Sequence, residues 1–171
     1  LGPISRTSLI ELTGFRPATI GAIVSDFIAE KLVVETENIS VGHGRKRILL
    51  EINNDHVCAL CISIAPRHVS FIVSRFDGRL LANEKIDFTA NAPTEEQILS
   101  ITEKVKALLH AYSDRNIVGI GLCKFLFEYD FNATAVDKWL DEVLKPRLEA
   151  ITDLPLQQFS DVTLPAIAEQ R

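Results

Sequence analysis

Between Val57 and Phe88 three apolar runs follow one another with almost nothing between them: VCALCISI, VSFIVSRF and LLANEKIDF. Runs this short, rich in Ile, Val and Phe and separated by a few polar residues, predict strands rather than helices. Asp77-Gly78 predicts a hairpin turn, because Gly supplies the positive φ that a tight turn needs. The three strands, Val57–Ile64, Val69–Phe76 and Leu80–Phe88, therefore form a meander. The chain then alternates. TEEQILSITEKVKALLHAYSD opens with the Thr94/Gln97 capping box and carries Ile98, Ile101, Val105 and Leu108 at helical spacing. The strand IVGIGL (Ile117–Leu122), a loop, a helix from about Ala133 to Ala150, the strand LPLQQF and a last helix, Asp161 to Glu169, complete it. A meander followed by such units predicts an α/β fold, a mixed sheet with helices packed on it.

Residues 1–53 have a different texture. Ser5 is placed to cap a helix over Ser5–Thr13, with Leu9 and Leu12 on one face and Gly14 as its stop. Pro17 suits the first position of a second helix, whose Ile20, Val24, Phe27 and Ile28 form an apolar face. The other face is small and polar: Ala18, Thr19, Gly21, Ala22 and Ser25. Two strands, Leu32–Glu35 and Arg47–Ile52, follow around the loop TENISVGHGRK. Helix, short turn, helix and hairpin make a winged helix-turn-helix.

Charge placement indicates what this unit would touch. The chain as a whole carries −5, and residues 1–53 balance Arg6, Arg16, Lys31, Arg45, Lys46 and Arg47 against Glu11, Asp26, Glu30, Glu35, Glu37 and Glu51. The cations nevertheless gather at the entry of the second helix and in the wing, and local placement governs affinity for phosphates. Arg16, Thr19, Ser25, Arg45, Lys46 and Arg47 are the candidate contacts to double-stranded DNA. A small-faced helix lets its backbone approach a groove, and that accounts for Gly21, which costs about 1 kcal/mol against Ala inside a helix. The same shape also serves protein-interaction adaptors, the bland alternative.

Other classes are disfavoured. No apolar run approaches the roughly 18 residues of a membrane span, and the expected location is cytoplasmic. Cys58, Cys61 and Cys123 are too few and too scattered for a disulfide framework, and Cys58-x-x-Cys61 lies inside a strand rather than a turn. The four His show no ligand spacing, so no metal and no cofactor is expected.

GPISRTSLIELTGFRPATIGAIVSDFIAEKLVVE followed by GRKRILLEIN resembles the winged helix of the ROK (repressor, open reading frame, kinase) transcriptional regulators. The match is carried by Thr19–Glu35 and Gly44–Asn53, with Lys31 where the family usually has Gly. Asp77-Gly78-Arg79 and QQFSDVTLPAIAE extend the resemblance over nearly the whole chain. It implies an actin-like, ribonuclease-H-like lobe of the sugar-kinase type over 54–171, after a DNA-binding domain over 1–53. It also implies that the chain is a fragment, lacking a helix before GPISR and a second lobe after Arg171.

The resemblance further implies what the lobe does. Family kinases carry D-x-G-x-T on the first strand; here Ser63 and Ala65 replace the Asp and Gly, and Ser cannot supply an anionic Mg²⁺ ligand. No catalytic residue is therefore assigned. Asp161 matches the family's catalytic base, and Ser160 and Thr163 stand where sugar-contacting Asn residues do, making these three the candidate sugar contacts. Asp161 is equally suited to capping the last helix. The expectation is a transcriptional regulator, a repressor of carbohydrate-utilisation genes, that senses a sugar or sugar phosphate without phosphorylating it. It would act as a homodimer or higher homo-oligomer in the full-length protein. The alternative is an ATP-dependent sugar kinase with a DNA-binding head.

Overall fold

A computed structural model of the chain describes residues 2–38, 47–88, 93–124 and 133–160. The chain divides into two compact units, Leu1–Val57 and Cys58–Arg171.

In the first unit each local signal does what its chemistry dictates. The Ser5 hydroxyl accepts the Ser8 N–H at 3.1 Å and caps helix α1, Arg6–Thr13. Gly14 takes the left-handed conformation, φ 70°, and its N–H donates to the Ile10 carbonyl at 2.9 Å. Helix α2, Pro17–Ala29, begins on its proline. It closes by a double bond pattern: Lys31 N–H to Ile28 O at 3.0 Å and Leu32 N–H to Phe27 O at 2.8 Å. Lys31 sits in the left-handed region, φ 58°, a position that favours glycine. A glycine would take this turn without steric cost, and this chain makes it with a lysine.

Three strands complete the unit. Strand β1 (Ile4–Ser5), β2 (Val33–Asn38) and β3 (Arg47–Ile52) form an antiparallel sheet in the order β1-β3-β2. The sequence shows the β2–β3 hairpin but not β1, since two residues have no period and their partners lie beyond both helices. Ile20, Val24 and Leu50 form the core, with Ile4, Leu9, Ile10, Ile28 and Val33 packed around it. Two apolar expectations fail. Phe27 is 43% and Leu12 76% exposed. The buried stripe of α2 is the narrow row Ile20, Val24, Ile28, and Phe27 falls on its shoulder. The unit is a winged helix-turn-helix.

The second unit is a five-stranded mixed sheet, β6-β5-β4-β7-β8. Strands β4 (Val57–Ile64), β5 (His68–Arg75) and β6 (Leu80–Asp87) form the antiparallel meander, while β7 (Asn116–Lys124) and β8 (Leu156–Ser160) are parallel. Gly78 turns the second hairpin at φ 88°. The Asp77 carboxylate accepts the Arg79 N–H at 3.1 Å and pairs with Arg75, which holds its carboxyl below the usual range. The β5–β6 register shifts beside Leu81, whose carbonyl accepts the Tyr112 hydroxyl at 3.0 Å.

Cross-strand pairs Leu60–Val73, Ile62–Phe71 and Ile64–Val69 line one sheet face, and all six side chains are fully buried. Helix α3, Glu95–Ala111, supplies Ile101, Val105 and Leu108 to the same core and carries the complete Thr94/Gln97 capping box.

Two boundaries in this unit depart from expectation. Strand β7 continues through Lys124, so Cys123 and Lys124 are ladder residues rather than a loop. The helix expected over 133–150 has three parts: α4 (Ala133–Trp139), a π-helical turn (Leu140–Leu144) and α5 (Lys145–Glu149). Pro146 accounts for this. It has no N–H and crowds the carbonyl four residues back, and the Lys145 N–H bonds five residues back to Leu140. Leu140, Leu144 and Leu148 still reach the core.

Candidate nucleic-acid interface and effector edge

The DNA-facing candidates begin at the N-terminus of α2. Arg16 is its cap residue in extended conformation, φ −66° and ψ 148°, with no side-chain capping bond. The N–H groups of the first turn therefore have no intrahelical acceptor, and an oxyanion placed there would meet both them and the helix dipole. Arg16 is exposed, as are Ala18, Thr19, Ala22 and Ser25. At 100° per residue, Thr19 and Ser25 flank Ala18 and Ala22 on the face turned away from the Ile20–Val24 row. Ser25 donates its hydroxyl to the Gly21 carbonyl at 2.9 Å, so only its lone pairs remain for an external donor. A Cβ added to Gly21 would meet nothing within 4 Å. Packing inside the unit does not require that glycine.

Arg45 and Lys46 lie outside the described residues. Arg47 opens β3, where its Cα partner is Asn38. Arg6, which sequence reasoning passed over, opens α1 and donates to Glu35 at 2.6 Å.

In the second unit Ser63 is buried on β4 directly opposite Ser70 of β5, on the face away from the aliphatic core. The Ala65 N–H donates to the His68 carbonyl at 3.0 Å and closes the β4–β5 turn. Asp161 and Thr163 lie outside the described residues. Ser160 lies in β8, and its Cα partner is Lys124 of β7. Lys124 does not stand out in the sequence. Its side chain is only 11% exposed and is ion-paired to Asp137 of α4. The geometry of Gly119 and Gly121 explains how β8 comes to lie here. The Ile120 N–H bonds the Pro155 carbonyl at 2.9 Å, and a Cβ on Gly119 would stand 3.2 Å from that oxygen. The Phe159 ring lies against Gly121.

The Cys58-x-x-Cys61 spacing makes no site. An odd separation along a strand sends the two side chains to opposite faces, and burial pushes both thiols up. No described helix is long and apolar enough to cross a membrane.

No family model matches the chain. Among curated proteins it is 23% identical over 159 residues to the xylose repressor of Bacillus subtilis strain 168, covering 90% of this chain and 41% of that protein. It is 24% identical over 127 residues to the xylose repressor of Bacillus spizizenii, covering 71% and 32%. Among solved structures, a ROK family transcriptional regulator, a homologue of the E. coli MLC protein, superposes with a TM-score of 0.64 at 20% identity, over 94% of this chain and 42% of that one. The chain is thus similar in sequence to xylose repressors and in fold to a ROK family transcriptional regulator. It spans less than half the length of each of these proteins. The shared fold runs through both units, since a match over 94% of the chain takes in the winged helix and the mixed sheet alike.

Proposed function

We propose that the chain is the operator-binding and first sensing region of a sugar-responsive transcriptional repressor that does not phosphorylate its effector. The observation that carries this reading is α2: a small, exposed outer face beginning at an uncapped, Arg16-bearing N-terminus, with a hairpin wing following it in sequence. Similarity to xylose repressors makes a pentose or related sugar the first effector to try. Residues 1–53 would hold the DNA and 54–171 would form the first lobe of the sensor, with Ser160, Asp161 and Thr163 toward the sugar. Full-length protein would bind paired half-sites as a homodimer, and sugar would favour an arrangement of its lobes that spoils the half-site spacing.

The absence of phosphoryl transfer rests on Ser63 and Ala65. Neither a Mg²⁺-binding carboxylate nor a glycine stands at the β4–β5 turn, where a phosphate would have to approach the backbone.

The test uses the full-length protein on its own promoter DNA. Replacing Arg45, Lys46 and Arg47 together with Ala will weaken binding to all sequences alike. The salt slope will fall by up to about 0.9 for each phosphate that is no longer neutralised. Fluorescence anisotropy across a salt series reads both. Unchanged affinity and slope would remove the wing from the interface. ADP release above background with a sugar panel would overturn the non-enzymatic reading.

A further inference from the structure

Resting on the operator-binding reading above, we infer that Asp26 is a specificity-determining residue. Its carboxylate accepts from the N4 amino group of a cytosine in the major groove and rejects duplexes that lack one there. Asp26 is the only charged residue in α2, Pro17–Ala29. It is exposed, and among the described residues it has no ion pair and no side-chain hydrogen bond. At 100° per residue it lies about 160° around the helix from the Ile20–Val24–Ile28 row that α2 packs inward. Thr19, Ala22 and Asp26 are i, i+3 and i+7 on one outer stripe. A homeodomain's groove helix presents its base-reading side chains at that spacing.

Among the described residues nothing in the head accounts for an acid here. Asp26 lies in the last turn of α2, where the negative end of the helix dipole opposes it. Glu30 follows four residues on as a like charge. Without a counter-ion, the carboxylate costs the free head stability and repels every phosphate that approaches.

Its base partner follows from donor and acceptor chemistry. A carboxylate only accepts hydrogen bonds. In the major groove the donors are cytosine N4 and adenine N6, while guanine O6 and N7 and thymine O4 are acceptors. Adenine N7, an acceptor beside the amino group, opposes the second carboxylate oxygen; cytosine offers the amino group alone. Facing thymine or guanine, the charge would be desolvated without a partner.

The experiment selects binding sites for the full-length protein from a randomised duplex library, using wild type, Asp26→Asn and Asp26→Ala. Wild type should enrich sites with cytosine at one position in each half-site. Exchanging that cytosine for thymine, an amino group for a carbonyl, should weaken binding about tenfold in fluorescence anisotropy. Asp26→Asn, nearly isosteric, should move the preference at that position to adenine, which an amide pairs through N6 and N7. Asp26→Ala should accept all four bases there and bind an unrelated duplex about threefold more tightly.

The same base preferences in all three proteins overturn the assignment of Asp26 while leaving operator binding intact. So does an Asp26→Ala variant that binds selected and unrelated duplexes more tightly by one common factor, the mark of bare repulsion. No enriched sequence with wild type or variants that denature normally overturns the operator-binding reading and this inference with it.

Discussion

Glycine position by position separates local need from external need. Gly21 has open space where a side chain would go, yet it sits inside α2, where glycine is about 1 kcal/mol worse than alanine. Gly21→Ala should therefore stabilise the head by about 1 kcal/mol in chemical denaturation. If a groove approaches the helix backbone there, the same variant will bind operator DNA more weakly. A variant that is more stable and binds as well as wild type would show that the glycine has no role at the interface. Lys31 is the converse case. Its left-handed backbone is invisible in the sequence, because a lysine gives no sign of the positive φ that a glycine would have announced.

Elements in this chain are held by close approaches as much as by period. Strand β8 lies on β7 because Gly119 lets the Pro155 carbonyl reach the Ile120 N–H. Gly119→Ala puts a Cβ 3.2 Å from that oxygen, and the backbone has to give. A cost of about 1–3 kcal/mol is expected, read from the denaturation midpoint. Gly121→Ala meets only the edge of the Phe159 ring at 3.6 Å and should cost less. Equal effects at both positions would contradict the geometry. The sequence places both glycines in a strand and says nothing of which one a neighbour requires. It also misses β1, and it ends β7 at Leu122, leaving Lys124 in a loop rather than in the strand. In each case the missing information is a pairing partner far along the chain.

For the molecule as a whole, two cores of unequal size predict unequal protection. Among the described residues the core cluster of the head is Ile20, Val24 and Leu50, whereas that of the second unit holds eighteen, from Cys58 to Leu148. Opening a small core exposes less apolar surface and costs less. In hydrogen exchange the amides of α1 and α2 should exchange faster than those of β4, β5 and β7. Equal protection throughout would mean that the units open together. Local pattern was enough for the order and type of most elements and for the caps at Ser5 and Thr94, because caps, turns and amphipathic stripes depend on residues a few positions apart. It also placed the exposed face of α2, for the same reason. Three facts came from the folded chain instead: Ile4 joins the β3 edge, Phe27 stays outside, and Lys124 stands beside Ser160 already bound to Asp137. Each depends on distant segments being brought together, and no local pattern encodes that.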